Sequence, residues 1–180
     1  FPLRLYFLLL VFLVSTTSKA YDAQIDGIYY NFFGNEAEVT YEVEMMGYYF
    51  SFYYDDVIIP ESVTYDGKAY TITSISDHAF ENCGVTSVTI PESVNHIGDF
   101  AFEDCESLTT IKVKNRIPVT INRTTFNHFD NQINATLIVP GGCKSAYLEA
   151  EYWKEFKEIK EFEIINGLCY FLDPDNLVIA

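Results

Sequence analysis

The residues of this 180-residue chain with chemistry to offer are four cysteines, three histidines and a surplus of carboxylates. Cys83 and Cys105 each close an Ala-Phe-x-x-Cys run and stand 22 residues apart. In an exported protein such thiols invite a disulfide. Side chains at equivalent positions of adjacent repeats point the same way, however, so the expectation is two buried free thiols acting as small apolar residues. Cys143 and Cys169 fall in different segments and suggest no pairing. His78, His96 and His128 have no second ligand at zinc-type spacing, which predicts solvent-facing imidazoles and no metal site. Asp173-Pro174-Asp175-Asn176 lacks the glycine and distal glutamate of a calcium loop and reads as a turn. Asn122-Arg123-Thr124 and Asn134-Ala135-Thr136 are formal N-glycosylation acceptors. No serine lies in a nucleophile elbow or other catalytic frame, so the expectation is a protein that is not an enzyme and uses no cofactor.

Charge supplies the remaining chemistry. Acidic residues outnumber basic ones 26 to 11, for a formal charge of −15. That balance disfavours nucleic acid, whose affinity comes largely from neutralised phosphates, and an anionic membrane surface. One local feature runs against it: Lys112, Lys114 and Arg116 alternate in a strand-like segment and so share an outward face. With Ser87, Thr89, Thr110 and Ile138 on neighbouring strands they form a mixed patch with a basic centre. It is either a partner-binding surface or the ordinary solvated face of an exposed sheet.

These residues are positioned by a repeat. Ile59-Pro60-Glu61-Ser62-Val63 returns as Ile90-Pro91-Glu92-Ser93-Val94, and Ile75, Ala79, Phe80 and Cys83 return 22 residues later as Ile97, Ala101, Phe102 and Cys105. A fixed period in the twenties is the signature of a leucine-rich-repeat-like solenoid. Strand positions Val85, Val88 and Ile90 return as Leu108, Ile111 and Val113, with earlier (Val57, Ile59) and later (Ile133, Leu137, Val139) copies; alternation puts Val88, Ile90, Ile111 and Val113 inward and Thr89 and Lys112 outward. Pro60, Pro91 and Pro140 end the strands. The first repeat is enlarged by a hairpin about Asp66-Gly67. The third keeps Ile121 and Phe126 but no cysteine.

The flanks differ in character. Residues 1–20 read as a signal peptide: ten apolar residues from Leu5 to Val14 make a helix of about 15 Å, too short for a hydrocarbon core of about 30 Å, so cleavage after Ala20 is favoured over anchoring. Residues 21–56 have strand chemistry and are expected to form an N-terminal β-rich cap over the repeats at 57–140. Their aromatic run, Tyr48 to Tyr54, is an edge strand covering the stack or a sugar- or protein-binding platform. Residues 141–162 read as a C-terminal cap: a short helix from Lys144 to Ala150, then Tyr152, Trp153 and Phe156 over the last coil and Ile159 on a closing strand. Ile165-Asn166-Gly167-Leu168-Cys169-Tyr170 repeats Ile25-Asp26-Gly27-Ile28-Tyr29-Tyr30, so 163–180 is expected to be the truncated start of a second similar unit.

The segment from Ile90 to Ile111 (Ile-Pro-Glu-Ser-Val, then Ile-Gly-Asp-Phe-Ala-Phe-Glu-Asp-Cys-Glu-Ser-Leu-Thr-Thr-Ile) resembles the BspA-like, or Treponema-type, leucine-rich repeats. The resemblance covers about 57–162 and includes Val139-Pro140-Gly141-Gly142-Cys143-Lys144 and Tyr152-Trp153. It implies a β-rich α/β-type horseshoe solenoid with short helical segments, carried by secreted or surface proteins of anaerobic bacteria and some protists. It further implies protein–protein interaction, in some members adhesion to host proteins and other cells. A spacer in a larger surface protein and a glycan-binding module are the alternatives.

Overall fold

The computed structural model describes residues 19–45, 48–126, 135–165, 168–172 and 177–179. Most of the expected signal peptide, His128, the Asn134 sequon and the Asp173–Asn176 turn lie outside them. In chain order the strands are β1 (Ala23–Ile25), β2 (Ile28–Phe33), β3 (Glu36–Thr40), β4 (Val43–Met45), β5 (Tyr48–Phe50) and β6 (Tyr54–Ile58). There follow β7 (Ser62–Tyr65), β8 (Lys68–Ile75), β9 (Gly84–Ile90), β10 (His96–Ile97), β11 (Thr110–Val113) and β12 (Thr136–Pro140). Helix α1 (Lys144–Glu149) and a 3-10 turn (Trp153–Glu155) precede β13 (Glu158–Ile165), β14 (Leu168–Leu172) and β15 (Leu177–Ile179).

The repeats build a parallel ladder in the order β6-β9-β11-β12-β13, extended by antiparallel β14 and β15. Its inward positions follow the alternation: Val88, Ile90, Ile111, Leu137 and Val139 are fully buried. β6 and β9 run out at Pro60 and Pro91, and β12 ends on Pro140, none of which has an N–H to donate. The ladder continues past Pro140, since Ile159 of β13 pairs with Leu137 of β12 in the repeat register. The expected closing strand is therefore an internal one, with β14 on its other side. β13 also crosses the expected boundary at 162/163.

Opposite this ladder the chain makes turns at 77–82, 99–104 and 123–126 rather than helices. The turn backbones are hydrogen-bonded from coil to coil: Phe80 N–H donates to Ala101 O (2.8 Å), Asn82 N–H to Glu103 O (2.8 Å) and Phe102 N–H to Thr125 O (2.9 Å). Inside them, Phe80, Phe102 and Phe126 stack at 5.1 Å per step with rings within 10° of parallel. A tilted Tyr53 meets one end of this ladder at 4.5 Å. At the other end Phe126 meets Trp153 and Phe156 edge-on, at 5.9 and 5.3 Å. Ala79 and Ala101 fit behind the rings; Thr125 fills the third such place and sends its hydroxyl to Gly98 O at 3.2 Å.

The enlarged first repeat forms the expected hairpin. β7 and β8 pair antiparallel with Asp66 and Gly67 both at positive φ (49° and 74°), the geometry of a two-residue turn that favours Asp-Gly. Its long arm, β8, joins a second sheet between β3 and β10, parallel to both. The aromatic run does not form one strand. It divides into β5, paired with β4, and the start of β6, and between them Tyr53 turns inward to 2% exposure. The Tyr53 hydroxyl donates to Thr40 O (2.7 Å) and accepts from Tyr29 N–H (3.0 Å), which satisfies its one polar atom in the core. Tyr48, Phe52 and Tyr54 remain exposed.

Candidate binding face

The outward positions of the parallel ladder line up in rungs. One rung reads Asp56, Ser87, Thr110, Thr136, Glu158; the next reads Ile58, Thr89, Lys112, Ile138, Lys160; a third pairs Pro140 with Phe162. Strand alternation thus brings five of the seven expected residues, Ser87, Thr89, Thr110, Lys112 and Ile138, onto two adjacent rungs. On the first rung Asp56 accepts from Ser87 (2.7 Å) and Thr86 (2.9 Å), and these bonds hold its carboxyl below the usual range. At the far end Glu158 accepts from Thr136 (3.3 Å) and pairs with Lys160 (3.0 Å).

Lys114 and Arg116 lie elsewhere than expected. β11 stops at Val113, so only Lys112 of the three basic residues belongs to a strand. Lys114 continues the ladder by one bond, its N–H donating to Ile90 O (3.0 Å), and Arg116 sits in a bend with its guanidinium on Gly141 O (3.2 Å). Lys112 is half-buried, with its ammonium 4.2 Å from the centre of the Phe162 ring. Ile138 points outward by alternation yet is buried at 7%. It is flanked on its rung by the long stems of Lys112 and Lys160, with Pro140 and Phe162 on the next rung. Aliphatic stems of this kind cover apolar surface while their charged heads stay wet.

Beside these rungs lies an open depression of about 450 Å³ lined by Glu92, Lys114, Arg116, Pro140, Gly141, Phe162 and Glu163. Its lining combines Pro140, Gly141 and Phe162 with charges of both signs. Sequence reasoning missed Phe162, Lys160 and Glu163, because β13 was expected to close the stack rather than continue its outer face. The signal that could have found them is the alternation of β13 itself, where inward Ile159 fixes Lys160 and Phe162 as outward.

The cysteine expectation agrees with the structure: Cys83 and Cys105 are free and buried, with sulfurs in van der Waals contact at 3.7 Å. Cys105 donates to Phe80 O (2.9 Å). Cys143 is likewise free and buried. His96 is exposed as expected. His78 is not solvent-facing: its ring is stacked between Tyr49 (3.8 Å) and Phe100 (5.1 Å), each within 11° of parallel, and Nδ1 meets Glu81 at 2.5 Å. The reason is its place in the repeat. His78 is the equivalent of Phe100, 22 residues on, and both adopt positive φ (60° and 56°), so both rings fall on one outer row of the turn wall.

The family model "BspA type Leucine rich repeat region" matches residues 47–171 in six copies. The chain belongs to the BspA-type leucine-rich repeat family. The match begins before Val57 and ends after Pro140, in keeping with a ladder that extends into β13 and β14. A search of curated proteins finds no match. Among solved structures, the chain is similar to a leucine-rich repeat protein from Bacteroides capillosus ATCC 29799, with 26% identity and a TM-score of 0.52 over 76% of this chain and 86% of that one. It also matches a leucine-rich repeat protein from Bacteroides ovatus ATCC 8483 (31% identity, TM-score 0.49), covering 66% of this chain but only 31% of that longer one. The BspA-type chain is β-rich with little helix, and among its described residues no helix is long and apolar enough to cross a membrane.

Proposed function

We propose that this chain is a secreted or cell-surface binding module that recognises an extracellular protein, in the manner of an adhesin, through the outer face of its parallel ladder. The observation that carries the reading is the row of rungs ending on the Phe162 depression. The rungs carry Lys112 and the hydroxyls of Ser87, Thr89 and Thr110, and the depression beside them is lined by Lys114, Arg116, Pro140 and Phe162, which supports a mixed polar and apolar docking face. In this reading the parallel coils form a curved solenoid, with 1–20 as a cleaved signal peptide. Residues 21–56 cap one end, and the α1 and 3-10 part of 141–162 covers the phenylalanine stack at the other while β13 carries the sheet on. The ring contacts of Tyr53, Trp153 and Phe156 at the two ends of the phenylalanine stack support the caps. Residues 163–180 begin a second unit of the same kind; the hairpin register Ile165↔Leu168 followed by β14 and β15 parallels Ile25↔Ile28 followed by β2 and β3.

The test is binding of the purified chain to an array of matrix proteins, serum proteins and glycans. Lys114→Glu is the variant of choice, because Lys112 already contributes to stability through Phe162. A saturable protein ligand whose affinity falls at least tenfold in Lys114→Glu, with an unchanged melting temperature, supports the face. Binding that survives Lys114→Glu with Arg116→Glu overturns it. A sugar ligand lost on replacing exposed Tyr48 and Tyr54 moves the site to those rings.

A further inference from the structure

The row of turns opposite the parallel ladder carries a cluster that the proposed binding face does not use. His78, Glu81 and Glu103, from equivalent turns of two successive coils, bring one nitrogen and two carboxylate oxygens within 4.8 Å of one another. The imidazole is held by three constraints: the Tyr49 and Phe100 rings on its two faces, the positive-φ backbone at His78, and the Nδ1 contact with Glu81. Glu81 itself is buried at 8%, and Glu103 and Asp104 lie close enough to repel it. A single imidazole thus faces a group of carboxylates in a wall whose backbone is hydrogen-bonded from coil to coil.

We propose that His78, Glu81 and Glu103 form a binding site for one divalent transition-metal ion of the zinc type, which joins the first two turns of the repeat wall. An imidazole beside two carboxylates suits a borderline cation such as Zn²⁺, whereas Ca²⁺ and Mg²⁺ take oxygen ligands only. The geometry asks for small movements. Bonds of about 2.0–2.2 Å in a tetrahedral site set ligand atoms roughly 3.4 Å apart. Glu103 therefore draws in from up to 4.8 Å, and the 2.5 Å contact of His78 with Glu81 opens. Glu81 already touches the imidazole, and Glu103 is only half-buried on its turn, so a rotamer change of Glu103 supplies most of the movement. Water completes the fourth position. The ion would neutralise carboxylates in a protein of charge −15 and cross-link residues from successive coils.

Isothermal titration of the metal-free chain with Zn²⁺ alone tests the site, beside two variants chosen to keep the fold. His78→Phe copies Phe100, which occupies the equivalent position with the same backbone, and so keeps the ring stack while removing the nitrogen ligand. Glu103→Gln is isosteric. One equivalent of Zn²⁺ is expected to bind and raise the melting temperature. Each variant should weaken binding by at least about tenfold and abolish the thermal shift, with its metal-free melting temperature unchanged for Glu103→Gln. Titration with Co²⁺ should give a tetrahedral d–d spectrum without a sulfur charge-transfer band. No binding, binding that both variants retain, or a thiolate band pointing to Cys83 and Cys105 overturns the assignment.

Discussion

Phe102→Ala is the most direct test of how the coils hold together. Phe102 is fully buried and stacked on both faces, 5.1 Å from Phe80 and 5.1 Å from Phe126. Truncating a buried phenylalanine costs about 3–5 kcal/mol. Each aromatic pair contributes about 0.5–1.5 kcal/mol beyond burial, and Phe102 loses two, so its cost should fall at the upper end, about 4–5 kcal/mol. That is a large share of a typical 5–15 kcal/mol. Phe102→Leu keeps most of the volume but loses the same two ring pairs, so it should cost about 1–3 kcal/mol, well short of alanine. Urea unfolding followed by far-UV circular dichroism and by the fluorescence of Trp153 measures both. Trp153 is the sole tryptophan and lies edge-on to Phe126, one ring beyond Phe102. Because coils in a stack contact only their neighbours, coincident shifts of the two signals would show that damage at the second coil reaches the end of the ladder. A loss below about 1 kcal/mol for alanine, or equal losses for alanine and leucine, would refute the reasoning, since neither is compatible with a tightly stacked ring.

Further expectations concern single atoms. Tyr53→Phe leaves the buried Tyr29 N–H and Thr40 O without their partner and should cost about 1–3 kcal/mol, read as a lower urea midpoint at constant slope. Gly98→Ala sets a new methyl group against the backbone of Asp77 and 2.7 Å from the Ser76 carbonyl carbon, which cannot yield; a loss of about 1–3 kcal/mol is expected. Gly141→Ala meets only the flexible end of Glu163 and should stay within about 0.5 kcal/mol, so equal effects of the two glycine variants would contradict the coil spacing. Glu38 is partly buried, and desolvation raises its pKa above 4.5. Above that ordinary value the unfolded chain has released a proton that the folded chain still holds, so this group's contribution falls as pH rises from 4.5 through the raised value and is then flat. Glu38→Gln should remove that fall and stabilise the chain at pH 7, and an unchanged pH profile by thermal melting would reject it.

The sequence by itself determined which residues face the core and which repeat. A 22-residue return of Ala, Phe and Cys can be satisfied only if equivalent residues stack, and Phe80, Phe102 and the free thiols lie where that spacing puts them. The Asp66-Gly67 hairpin and helix α1 were equally legible, because turn chemistry and helical spacing are local. The candidate face was legible only as alternation: Ser87, Thr89, Thr110 and Lys112 share their rungs. What surrounds each residue in space was left to the tertiary structure. It set Lys112 over Phe162, buried the outward Ile138, took Lys114 and Arg116 off the strand, and carried the ladder on into β13. It also turned Tyr53 inward from an aromatic run and clasped His78 between two rings with Glu81 and Glu103 beside it. The physical reason is that periodicity fixes the direction of a side chain relative to its own backbone. Burial, pairing and ligand geometry depend on distances between residues far apart in sequence, and these exist only once the coils are stacked.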